Sequence, residues 1–185
     1  MDTLEAALRG GVDLVQVRAK EATSRELLAL AREVKRAVGG RALVIVNDRT
    51  DIAIMAEADG VHLGQEDLPV AEARKILGPD RLIGVSTHSL GQAIEAQKSG
   101  ADYLGFGPIF PSSTKGYPFG LGEKAFLPIR RKAKVPVFLI GGIGPENLSR
   151  IPGAERIAVS SAVLSARDPA AVVRRLRAIL SKKTA

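Results

Sequence analysis

One punctuation recurs along this chain and limits what it can fold into. A helical stretch ends, a small turn carrying an acid follows, and a short apolar run begins. The instances are Gly11-Val12-Asp13, Ala58-Asp59-Gly60, Gly100-Ala101-Asp102 and Gly153-Ala154-Glu155. Glycine supplies the left-handed residue with which many helices end. The apolar runs fall at Leu14–Val17, 42–46, Gly60–Leu63, 82–86, Tyr103–Phe106, Val137–Ile140 and 156–159. They are continuous rather than alternating, as parallel strands covered by helices on both faces are. Thr23-Ser24-Arg25-Glu26 reads as a capping box before a helix at 27–38, and Ser89-Leu90-Gly91-Gln92 as another before 93–98. The chain opens on a helical pattern at 2–8. It closes on an amphipathic helix at 169–180, with Asp168 as cap and Pro169 in the first helical position.

Repeated units of this kind close in two ways, as a doubly wound open sheet or as a (β/α)8 TIM barrel. A nucleotide-binding open sheet carries a glycine-rich turn after its first strand. Here that turn reads Gln16-Val17-Arg18-Ala19-Lys20, without glycine. Polar and charged residues gather at the C-terminal ends of the strands, where a barrel builds its active site. The expectation is an α/β protein, one barrel domain over residues 1–185. Seven strands are readable, so the first strand of a complete barrel is apparently lacking. An unpaired strand edge invites association, so an N-terminal extension or a homodimer is expected to cover the gap.

Composition removes several function classes. The absence of cysteine excludes thiolate nucleophiles, disulfides and Cys-based zinc sites. Two histidines, His62 and His88, are too few for a histidine metal cage. The net charge of +7 suits an anionic substrate. Its basic runs, Arg130-Arg131-Lys132 and Lys182-Lys183, carry no interleaved aromatics, so nucleic acid is not expected as a partner. No apolar run approaches the ~18 residues of a membrane span, and the N-terminus lacks the basic and apolar regions of a signal peptide. A cytoplasmic enzyme acting on phosphorylated small molecules, with no membrane partner, is the expectation.

The strand ends then give the site. Gln16, Arg18 and Lys20 share one face of an extended segment, and two cations beside an amide suit a polyphosphate. Asn47-Asp48 stands at the end of the second strand. The third contributes His62 and then Gly64-Gln65-Glu66-Asp67. Asp48 and Asp67 read either as helix caps or as a pair for Mg2+, which takes one or two carboxylates plus substrate phosphate oxygens. Ser86-Thr87-His88 follows the fourth strand. The fifth leads into Gly107-Pro108-Ile109-Phe110-Pro111-Ser112-Ser113-Thr114-Lys115-Gly116, a loop suited to phosphate or to a lid. Gly141-Gly142-Ile143-Gly144 and Ser160-Ser161 follow the last two strands, where barrels often hold a phosphate. Two phosphorylated substrates meeting in one barrel is the inference.

The ordered motifs Gln16-x-Arg18-x-Lys20, Val46-Asn47-Asp48, His62-x-Gly64-Gln65-Glu66-Asp67, Gly84-Val85-Ser86-Thr87-His88, Gly107-Pro108-Ile109-Phe110-Pro111 with Thr114-Lys115, and Gly141-Gly142-Ile143 resemble those of the thiamine phosphate synthase family. The likeness runs from about Leu4 to Leu180. The resemblance implies coupling of a pyrimidine-methyl diphosphate to a thiazole phosphate, with release of pyrophosphate. It implies that Gln16, Val17, Arg18, Ala19, Lys20, Asn47, Ser86 and Lys115 hold the pyrimidine diphosphate. It further implies that Asp48 and Asp67 bind Mg2+, and that Ser112, Ser113, Thr114, Gly142, Ser160 and Ser161 hold the thiazole phosphate. Arg18, Lys20, Ser86 and Lys115 would be catalytic, and no general base is required.

Three departures stand out. The family's first strand is absent, Ser112 stands where a threonine is usual, and the stretch Lys115-Gly116-Tyr117-Pro118-Phe119-Gly120 lacks the acidic residue common after that lysine. The last points toward the sister thiazole tautomerases, which work by proton transfer without Mg2+. In that reading His88 would be the shuttle, although Pro108 stands where a histidine is known in those enzymes and both aspartates are kept here. A non-catalytic thiazole-phosphate binder is the third reading, marked by loss of the carboxylates and cations. Neither is lost.

Overall fold

The computed structural model describes residues 1–111 and 119–184. Its elements run α1 (Asp2–Gly10), β1 (Leu14–Val17), α2 (Ser24–Val38), β2 (Leu43–Asn47), α3 (Thr50–Met55), β3 (Gly60–Leu63), α4 (Val70–Leu77), β4 (Leu82–Thr87), α5 (Leu90–Lys98), β5 (Tyr103–Phe106), α6 (Phe126–Lys132), β6 (Val137–Ile140), β7 (Ile157–Ala158), α7 (Ser161–Leu164) and α8 (Pro169–Thr184). Short 3-10 turns at Glu123–Ala125 and Leu148–Arg150 complete them.

The seven strands pair in parallel and in chain order, β1 to β7. A doubly wound sheet reverses its order at a switch point; this sheet never does, and it curls as a barrel wall. Alternation sorts its side chains. Val44, Val46, Val61, Leu63, Ile83 and Leu104 face outward into one core with the helices. Gln16, His62, Ser86, Tyr103, Phe138 and Ile140 face inward and line a cavity of about 870 Å³. The continuous apolar look of the strands therefore comes from a dry outer face and an only partly polar inner one.

Strands β1 and β7 end the sheet and do not pair with each other. Two helices pack across the opening. Gly10 of α1 lies against α8 so closely that a Cβ there would stand 2.7 Å from the Val173 Cβ. Arg177 of α8 donates to the Gly11 carbonyl at 2.6 Å and to Asp13 at 2.7 Å. Among the described residues no helix is long and apolar enough to cross a membrane.

The recurring acids act as clamps at the N-terminal rim. Asp59 accepts the Val44 amide at 2.7 Å and pairs with Lys35 of α2 at 2.7 Å. Asp102 accepts the Ile83 amide at 2.7 Å and pairs with Arg74 of α4. Each fastens a strand start to its neighbouring strand and to a helix. The Thr23 capping box forms with both arms, and Asp168 accepts the Ala171 amide at 2.9 Å. The second box forms by half. Ser89 accepts the Gln92 amide, but the Gln92 side chain reaches the amide of His88 at 2.7 Å and not that of Ser89. The expected last strand at 156–159 shrinks to Ile157–Ala158, the two residues that pair with Leu139 and Ile140 of β6.

Candidate active site

The early strands bring one cluster together. Asp48, just past β2, has φ 62°, a left-handed backbone that few residues other than Gly, Asn and Asp adopt readily. Its amide donates to the His62 carbonyl at 2.8 Å, which ties it to β3. It does not cap α3, whose N-cap is Arg49. Asp67 does not cap α4 either: the N-cap there is Pro69, and the Asp67 carboxylate turns back to accept the Gly64 amide at 2.6 Å. A Cβ on Gly64 would stand 2.9 Å from that carboxylate oxygen, so the tight turn suits glycine. Both helix-cap alternatives thus give way to a carboxylate pair. Burial first, then the hydrogen bond and charge of Asp67, push the Asp48 carboxyl above its usual range, while Lys20 and Arg18 oppose the shift. Four of the expected residues therefore share one field.

Gln16 and Arg18 line the cavity, as do Ser86, Gly142, Ser160 and Ser161. Asn47 lies in register with His62 beside it. Val17 is buried in the outer core and Ala19 packs against that core, so their side chains point away from the cavity and their backbone is what they can offer. Lys115, Ser112, Ser113 and Thr114 lie outside the described residues. Gly142 has φ 60°, and a Cβ there would meet the Pro111 carbonyl oxygen at 2.4 Å. That glycine lets the chain after β6 pass close beneath the segment after β5. Asn147 secures it, donating to the Gly142 carbonyl at 2.8 Å and accepting the Gly144 amide at 2.9 Å.

The inner wall holds a group that the strand pattern alone hides. His62 Nδ1 lies 3.1 Å from the Tyr103 hydroxyl, and His62 Nε2 lies 2.9 Å from Ser86 Oγ. Tyr103 reads in the sequence as one more apolar strand residue. The signal for its role is the glycine opposite: Gly84 is its cross-strand partner, and a Cβ there would stand 2.0 Å from Tyr103 Cζ. Gln65 joins the group from the turn after β3; its side chain donates to the Ser86 carbonyl at 2.6 Å. His88 Nδ1 lies 2.5 Å from the Gly107 carbonyl, which fixes that ring against the loop after β5.

Comparison with known proteins fits this arrangement. Residues 1–163 match the family model described as thiamine monophosphate synthase. The chain belongs to the thiamine monophosphate synthase family. It is 44% identical over 189 residues to a thiamine-phosphate synthase of Moorella thermoacetica, covering 98% of this chain and 89% of that protein. A thiamine-phosphate synthase of Synechococcus sp. is 49% identical over 169 residues, and there the match spans 90% of this chain but only 48% of the relative. Among solved structures, thiamine phosphate pyrophosphorylase from Pyrococcus furiosus superposes with a TM-score of 0.90 at 37% identity, covering all of this chain and 90% of that one. A phosphoribosyl anthranilate isomerase from Thermotoga maritima superposes with a TM-score of 0.68 at 17% identity, which is a likeness of fold.

Proposed function

We propose that this chain is a thiamine phosphate synthase, a transferase that joins a pyrimidine-methyl diphosphate to a thiazole phosphate and releases pyrophosphate. The observation that carries the reading is the meeting of Asp48 and Asp67 with Arg18 and Lys20 at one rim. A carboxyl held above its ordinary range by burial and by a neighbouring carboxylate wants a cation beside it, and two cations alongside want an anion. Mg2+ with a diphosphate satisfies both, and Asp48 and Asp67 are the residues that would hold it. When bound, the ion would neutralise charge on the departing diphosphate.

The chain's own residues account for the rest. The bond from the methylene carbon to the diphosphate oxygen breaks, and its electron pair leaves with the diphosphate. The amino group of the pyrimidine donates electron density to the carbon left behind. Arg18 and Lys20 stabilise the developing negative charge, and Ser86 offers a hydroxyl on the cavity side. Gly142, Ser160 and Ser161 line the cavity after β6 and β7, and they would hold the second phosphate. The thiazole nitrogen then needs only to be aimed at the carbon, and its lone pair forms the new C–N bond.

The test is to mix the protein with both substrates, with and without Mg2+, and to follow thiamine phosphate. Mg2+-dependent product that disappears in Asp48→Asn supports the reading. Aromatisation of a thiazole precursor, with no coupling, overturns it and moves the chemistry to His88.

A further inference from the structure

We infer that Tyr103 and His62 form a buried relay that fixes the imidazole tautomer and so sets Ser86 as a hydrogen-bond donor toward the cavity. The functional consequence rests on the reading that Ser86 faces a departing diphosphate; the tautomer itself does not.

The three side chains project inward from β5, β3 and β4. Tyr103 is 7% exposed and His62 9%. Their rings tilt at 36° with centroids 5.5 Å apart, and Phe138 packs edge-on against Tyr103 at 5.4 Å. Gly84 leaves room for the Tyr103 ring, and a Cβ on Gly105 would stand 3.2 Å from His62 Cε1. Two glycines on adjacent strands thus open the space that the pair fills.

A phenol carries one hydrogen to donate, and a buried one left without an acceptor is costly. Burial pushes the Tyr103 hydroxyl far above its usual range, so it keeps that hydrogen. The hydrogen-bond partner of the hydroxyl among the described residues is His62 Nδ1. Donation there makes Nδ1 an acceptor, and a neutral imidazole then carries its hydrogen on Nε2. That hydrogen points at Ser86 Oγ, 2.9 Å away. Ser86 therefore accepts from His62, and its own hydrogen is left for a cavity oxygen. With the opposite tautomer Ser86 would spend its hydrogen on His62 and present only lone pairs to an anion. No proton changes hands; Tyr103 and His62 are positioning residues.

The chain's two histidines make the test direct, because a nitrogen-15 imidazole spectrum holds two ring systems. In ligand-free protein at about pH 8, above the usual imidazole range, His62 is expected to carry its hydrogen on Nε2. His88, facing the Gly107 carbonyl, is expected to carry it on Nδ1. Tyr103→Phe should erase the single tautomer of His62 and leave His88 unchanged. In coupling assays Tyr103→Phe should lower kcat about tenfold, the worth of one well-placed hydrogen bond, with KM for the diphosphate within about twofold. His62→Gln, whose amide can still donate to Ser86, should retain more kcat than His62→Leu. An Nδ1-protonated or doubly protonated His62 overturns the inference, as does a Tyr103→Phe variant that leaves the His62 signals alone. A wild-type protein that makes no thiamine phosphate would instead overturn the synthase reading, while the spectrum decides the relay by itself.

Discussion

Asp48 shows how one residue can be placed by its backbone and unsettled by its neighbour. Its φ of 62° makes alanine a poor probe, because alanine adds strain to the loss of charge; asparagine tolerates that region and removes only the carboxylate. The carboxyl is raised above its ordinary range, by burial first and then by Asp67. An acid raised in the fold stabilises least when ionised, so its cost appears as pH climbs from the unfolded value through the folded one. Thermal melts of ligand-free protein should therefore show Asp48→Asn above wild type at neutral pH, with the two converging as acid protonates both states. Added Mg2+ should raise the wild-type melting temperature and barely move the variant. Turnover of the variant should fall at least about 100-fold, as when a main stabiliser of transition-state charge is lost. At Gly84 the prediction concerns shape. Gly84→Ala drives a Cβ into the Tyr103 ring and should cost about 1–3 kcal/mol in urea unfolding, the usual range for overpacking.

Among the elements, the clamp acids separate two contributions that a single substitution would blur. Asp59→Asn keeps an acceptor for the Val44 amide and loses the Lys35 pair, so it should cost about 1 kcal/mol, as partly exposed ion pairs do. Asp59→Ala also strands the amide and should cost about 2–3 kcal/mol by urea unfolding. These acids were legible as punctuation because they recur before four of the seven strands. The strands were legible because their outer faces must be apolar, and the bounds of β1, β3, β5 and β6 match the apolar runs residue for residue. The site was legible where its residues sit at strand ends, as Gln16, Arg18 and Ser86 do. It was ambiguous at Asp48 and Asp67, since a helix cap and a carboxylate pair use the same residue before the same helix. What decides between them is the turn at Gly64, a matter of three-dimensional reach. Tyr103 was invisible because its meaning lies in residues on two other strands.

At the scale of the molecule, the sheet is asymmetric in its protection. Strands β2 to β6 are paired on both sides, with β3, β4 and β5 farthest from an edge, whereas β1 and β7 end the order. Native-state hydrogen exchange should therefore be slowest in β3 to β5 and faster in β1 and β7; uniform rates across the seven strands would contradict that. The strand order has a further consequence in time. Every strand pairs with the one made just before it, so the sheet can grow as the chain is synthesised, each new strand finding its template already in place. One fastening cannot form that way. Arg177 reaches back 166 residues to Gly11 and 164 to Asp13. A nascent chain would carry a nearly finished wall and an open flank until α8 emerged, and α1 would wait for it.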